Sequence, residues 1–142
     1  MALYQHLLVG LDLSDESGKI IQHAKALAKT FSAELSIANV IEPLALSYGG
    51  DIPIELNETQ TVIEQHAQKR LGELVSKHGL HDTQTYLPIG SPATELKELA
   101  KEIGADLIVV GTHGRHGLAL LLGSTSNGVL HGTECDVLAV KV

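Results

Sequence analysis

The sequence predicts an α/β fold with a parallel sheet, on three observations. Short apolar runs rich in β-branched residues alternate with amphipathic helical stretches from end to end. Several of these runs are too continuously apolar for a strand with one wet face. Helix start and stop signals fall between them. Strands joined by helices lie parallel, and right-handed crossovers then wind helices onto both faces of a five-stranded sheet.

The strands are expected at residues 6–12 (HLLVGLD), 34–41 (ELSIANVI), 83–89 (TQTYLPI), 106–110 (DLIVV) and 136–142 (DVLAVKV). Between the first two, Ile20, Ala24, Leu27, Ala28 and Phe31 recur at helical spacing, with Ser14 as N-cap and Asp15 and Glu16 at the positive end of the dipole. The second helix is expected from about Asn57 to His78. Ile63, Ala67, Leu71, Leu74 and Val75 form its apolar stripe, Asn57 caps it and Gly79 ends it. The third starts at Ser91-Pro92, carries Ala93, Leu96, Leu99, Ala100 and Ile103, and stops at Gly104. A weaker fourth helix is expected between Ser124 and His131. Two connections resist assignment, residues 42–56 and 111–123, and loops of such length are usually functional or mobile. The first, with Pro43, Gly49, Gly50 and Pro53, is expected to be the least ordered part of the domain.

The chain has 142 residues, 44% of them hydrophobic and 19% charged, which fits one folded domain spanning 1–142. Ten Lys and Arg against seventeen Asp and Glu leave a net charge of −7. Duplex nucleic acid and anionic membrane faces reward clustered positive charge, so neither is expected as a partner. No apolar run reaches the ~20 residues of a membrane span. The start, MALYQHLLVGLD, has no signal-peptide pattern. With a single cysteine, Cys135, no internal disulfide can form, which points to a reducing cytoplasm.

In an open parallel sheet, ligands bind beyond the carboxyl ends of the strands, near the switch in strand order. Two segments should meet there: Gly10 to Ser14 after the first strand, and Gly111 to Ser124 after the fourth. Glycines let backbone N–H groups approach a phosphate closely. The spacing here, Gly111-x2-Gly114-x8-Gly123-Ser124, is neither GxGxxG nor a Walker loop.

The segments HLLVGLDLSDES, LPIGSPATEL, ADLIVVGTHGRHGLALLLGSTSN and CDVLAVKV together resemble the universal stress protein family, most of all its A-type members. The resemblance covers essentially the whole chain. It implies a doubly wound sheet of order 3-2-1-4-5 and a homodimer built through the last strand. It also implies a cytoplasmic, non-enzymatic role in survival under stress, DNA-damaging stress included. ATP binders of the family are similar in G-x2-G-x9-G-[ST], with an aspartate closing the first strand. The resemblance therefore maps a nucleotide site onto Asp12, Gly111, Gly114, Gly123 and Ser124. Here eight residues, not nine, separate Gly114 from Gly123. One deleted residue shifts a chain by up to ~3.5 Å, well beyond the roughly 0.5 Å range of hydrogen-bond lengths. His116 adds bulk near the expected phosphates, Gly117 offers some relief, and Arg115 offers a compensating charge. The expectation is a diverged pocket without cofactor, with ATP binding as the alternative.

Other constellations carry less. His113 and His116 form HxxH, short of the three or four ligands of a zinc site. Asp12 lacks the acidic cluster of a phosphoacceptor receiver domain, and no GxSxG marks a serine hydrolase. Cys135 has no basic activator nearby in sequence. The last strand is apolar and lacks the proline or repeated charge that guards an edge. Val137, Leu138, Ala139, Val140 and Lys141 are therefore the expected dimer contacts. A two-fold axis between Leu138 and Ala139 would set Asp136 opposite Lys141 of the second copy.

Overall fold

The computed structural model describes residues 3–43, 54–114, 116–117 and 135–142. Within them the elements run β1 (His6–Gly10), α1 (Ser17–Phe31), β2 (Glu34–Ala38), α2 (Ile54–Lys77), β3 (Gln84–Tyr86), α3 (Pro92–Ile103), β4 (Leu107–Gly111) and β5 (Asp136–Val140). The five strands form one parallel sheet of order β3-β2-β1-β4-β5. The expected class and strand order hold. The fourth helix, the middle of the first long connection (44–53), Arg115, Gly123 and Ser124 lie outside the described residues.

Period-two alternation sorts the strand side chains into two cores. Leu7 and Val9 of β1, Ile37 of β2 and Val109 of β4 meet Ile20, Ile21 and Ala24 of α1 and Leu71 and Val75 of α2. Leu8, Ala38, Ile108 and Val110 face the other way and meet Leu96, Leu99 and Ala100 of α3. Both faces of the central strands are thus dry, which is why their sequence runs are continuously apolar. The α2 stripe fades toward its start: Ala67, Leu71 and Val75 are buried, whereas Ile63 is 38% exposed.

Several boundaries move. α2 begins at Ile54, so residues 54–56 are helix and Asn57 is not its cap. α1 begins at Ser17 with Glu16 in the cap position, and Asp15 and Glu16 precede the helix. Ser14 does not cap with its side chain. Its carbonyl accepts from Ser17 N–H at 3.1 Å, while its hydroxyl donates to Glu16 Oε2 at 3.1 Å. Ser91 does stand at the cap of α3, with Pro92 behind it, but makes no side-chain cap bond. β3 has only three residues; beyond it Ile41 and Ile89 form a separate bridge.

All three described helices end in the same paired motif, in which two N–H groups fold back on the last turn. Ala33 donates to Ala28 O, Leu80 to Val75 O and Ala105 to Ala100 O. The residue at the turn is left-handed each time: Gly79 (φ 70) and Gly104 (φ 75), but Ser32 (φ 54) after α1. A side chain in that conformation costs roughly 1–2 kcal/mol. Ser32→Gly is therefore expected to stabilise the chain by about 0.5–1 kcal/mol, after the extra unfolded-state freedom of glycine is subtracted. Urea denaturation checks it: an unchanged or lower midpoint would show that the turn is not strained.

The start of β1 is tied across the sheet. Asp106 accepts the N–H groups of Gln5 and His6, and Gln5 O accepts from Glu34 N–H. Tyr4 donates its hydroxyl to Asp136 Oδ2 at 2.7 Å and stacks edge-on against Phe31. The carboxylate acceptor raises the Tyr4 pKa.

β5 is an edge of the described sheet. Its Val140 O accepts from Thr112 N–H, so the polar backbone groups of Val140 point at β4. N–H and C=O of one residue share a side and alternate along a strand. Hence those of Val137, Ala139 and Lys141 point outward. An antiparallel pair opposes outward residues only with outward residues. The axis must then pass through a residue, not between Leu138 and Ala139 as expected from the sequence. Asp136 and Lys141 also project to opposite faces, so they cannot face each other across a regular two-fold ladder.

Candidate functional site

The site forms where the ends of β1, β2 and β4 diverge. β1 keeps pairing with β2 as far as Leu11, whose N–H reaches Ala38 O at 2.9 Å. The chain then turns away at Asp12. Asp12 Oδ1 accepts from Ser14 N–H at 3.0 Å, a side-chain turn that spans Leu13. Leu13 sits at φ 62, and Arg70 of α2 holds its carbonyl through Nη2 at 2.8 Å. A left-handed leucine is strained backbone, and such strain persists only where its surroundings enforce it. Asn39 is the second tie: its Nδ2 donates to Leu11 O at 2.7 Å, and its N–H to Tyr86 O.

The turn at Asp12 leaves one donor of the segment after β2 without a strand neighbour. Asn39 and Ile41 donate toward β3, so Val40 N–H points to where β1 no longer runs. A buried backbone N–H requires an acceptor. His116 supplies it: the residue is 4% exposed, and its Nε2 accepts from Val40 N–H at 2.9 Å. A backbone amide can only donate, so the ring proton of the neutral imidazole sits on Nδ1. Gly117 N–H donates to Gly114 O, closing the turn that carries His116 inward.

The expected site residues split into three groups. Asp12 and Gly114 do meet: Gly114 lies at φ 96, and a Cβ there would overlap Asp12 Oδ2. Gly111 reaches the same place for a packing reason, since a Cβ would come within 3.0 Å of Ile20 and 3.3 Å of Val142. Gly123 and Ser124 lie outside the described residues. At Gly117 a Cβ would come within 3.0 Å of the His113 backbone and 3.2 Å of Gly114 O, which a glycine avoids. His113 is exposed while His116 is buried, so HxxH does not converge. Among the described residues no three His, Cys, Asp or Glu gather as a metal site. Sequence reasoning passed over Asn39 and Arg70. Asn39 carried a signal as a lone amide inside an apolar run; Arg70 carried none.

The cleft bounded by Asp12, Asn39, Val40, Ile63, Ala67 and His116 encloses about 250 Å³. The carboxylates of Asp12, Glu16 and Glu42 stand around it and the adjoining hollow. No helix among the described residues is long and apolar enough to cross a membrane.

Comparison with known proteins agrees with this architecture. The family model for the universal stress proteins matches residues 3–141. Universal stress protein A homologs 1 and 2 of Coxiella burnetii are 43% and 38% identical, over 96% and 98% of this chain and 96% of each relative. Among solved structures, a universal stress protein in complex with cAMP is 32% identical. It aligns at a TM-score of 0.59 over 99% of this chain and 98% of its own. A universal stress protein from Lactobacillus plantarum aligns at 0.68 and 21% identity, over 99% of each chain, and speaks for the fold alone. With the fold, the strand-end site and near full-length matches in accord, this chain belongs to the universal stress protein family, which supports a stress-related role.

Proposed function

We propose that this chain acts as a cytoplasmic, non-enzymatic homodimer in survival under stress, and that its strand-end cleft does not hold ATP. The observation that carries the reading is His116, whose ring is seated in the cleft on Val40 N–H. Charge supports it: a triphosphate there meets the like charges of Asp12 and Glu42, which line the cleft, and of Glu16, which lines the adjoining hollow. The shortened interval between Gly114 and Gly123 supports it from the sequence. The homodimer rests on the unguarded β5 edge, and the cytoplasmic assignment on Cys135 as the lone thiol.

The competing reading is a nucleotide-binding chain that uses Asp12, Gly111, Gly114, Gly123 and Ser124. It is favoured by the relative solved with cAMP. Calorimetric titration with ATP and Mg²⁺ separates the two. We expect no saturation at low micromolar ATP; a dissociation constant below about 10 μM, roughly −7 kcal/mol, overturns the proposal.

A further inference from the structure

We propose that Ser36 is an acyl-acceptor site, activated by His6 and Glu34, that takes one acyl group from a small, uncharged activated ester or thioester. The site lies at the amino ends of β1 and β2, the opposite end of the sheet from the strand-end cleft. It goes beyond the functional reading above without opposing it, since one acyl group per chain is a modification and not turnover.

Strand register brings the three side chains together. His6 of β1 pairs with Glu34 of β2, and Ser36 follows two residues on. By alternation with Leu8 and Ala38, all three project to the α3 face. His6 Nε2 and Ser36 Oγ are 2.7 Å apart. Glu34 Oε2 stands 3.6 Å from His6 Nδ1, too long for a hydrogen bond but close enough for its charge to favour the ring proton on Nδ1. Nε2 is then the bare nitrogen, and the Ser36 hydroxyl donates to it. This is the order of a serine nucleophile, its base and an orienting carboxylate. Ser36 is 3% exposed and lines a hollow of about 600 Å³ that Gln84, Tyr86 and Ile103 help to bound. Glu34 and Asp82 also line it and repel anionic donors, so the donor must be uncharged.

In the transfer, Ser36 Oγ attacks the acyl carbon and its proton passes to His6 Nε2. The new Oγ–acyl bond replaces the bond to the leaving group, which departs with that proton. The sequence of steps stops there for a structural reason. Ala38 O accepts from Leu11 N–H of the β1 segment, so by alternation the N–H of Ser36 also points at β1. The nucleophile's own N–H, an oxyanion donor in many acyl-transfer sites, is thus committed to the sheet. Without it, only a donor with a weakly basic leaving group reacts, and the ester on Ser36 hydrolyses slowly.

The probe is p-nitrophenyl acetate, a small uncharged ester with a good leaving group. After exposure to it, the unaltered chain is expected to carry an acetyl group on Ser36, located by peptide mass spectrometry and scored apart from acetyl groups on lysines. His6→Gln removes the base and should slow labelling of Ser36 at least about 100-fold, while lysine labelling continues unchanged. A Ser36 that stays unlabelled in the unaltered chain, or one that His6→Gln labels at the same rate, overturns the proposal. Should His6→Gln fail to fold, nitrogen-15 spectra of the unaltered protein decide. A neutral His6 protonated on Nδ1 supports the activated serine, and one protonated on Nε2 overturns it. The ATP titration does not report on Ser36, so the two readings fail separately.

Discussion

Ala139→Pro is expected to leave a folded monomer in place of the proposed β5-paired dimer. The substitution suits the question because of where its lost donor points. Val140 O faces β4, so Ala139 N–H faces outward, away from the ladder that holds β5 in its own sheet. Proline therefore removes a bond to a second copy while sparing the bonds to β4. The residue before it, Leu138, is already extended, the conformation that precedes proline most easily. We expect dimer dissociation to strengthen at least about 100-fold, a change of roughly 2.7 kcal/mol. Val140→Pro is the contrasting variant. It deletes a β4-facing group and should unfold the edge itself. Sedimentation equilibrium and circular dichroism separate the outcomes. A parent that sediments as a monomer at micromolar concentration, or an Ala139→Pro chain that remains dimeric, removes β5 as the interface.

Gly10 and Leu96 are expected to be strongly coupled. A methyl at Gly10 would lie 2.7 Å from Leu96 Cδ1 and 3.2 Å from Cδ2, and Leu96 is fully buried between β1 and β4. Gly10→Ala overpacks that contact and should cost about 1–3 kcal/mol. Leu96→Ala empties it and should cost about 2–5 kcal/mol. In the double variant the added methyl occupies part of the space the leucine vacates. The combined loss should then fall short of the sum by at least about 1 kcal/mol. Urea denaturation of the four proteins measures the cycle. Additivity within about 0.5 kcal/mol would mean that Gly10 is needed for something other than seating Leu96.

The sheet was legible because burial on both faces leaves a long apolar signature, and because Gly79 and Gly104 sit where left-handed turns end helices. The end of α1 was not, since Ser32 takes the same conformation without the residue that advertises it. The start of α1 was misread for a related reason. Ser14 is the good cap on paper, but after the turn at Asp12 its hydroxyl goes to Glu16, and Glu16 itself takes the cap position. In the site, Asp12 and Gly114 could be placed together from topology alone. The contact that lines the cleft could not. Val40 and His116 are 76 positions apart, and nothing in either local sequence says that one donates to the other. Arg70 was equally silent, because an arginine on a helix normally reads as a solvated charge. The close approach of Gly111 to Ile20 was equally hidden, since a glycine's neighbours leave no mark in its local sequence.

The ties at the start of β1 also determine how the domain carries force. Tyr4 is anchored to the first residue of β5, Gln5 and His6 to Asp106 just before β4, and Gln5 again to Glu34 of β2. The far end, Val142, is held by Thr112 beyond β4. Tension applied between Tyr4 and Val142 therefore pulls parallel strands along their own length, in shear. Under that load the ladder bonds between β1, β4 and β5 share the strain together, whereas a pull across the strands would part them one at a time.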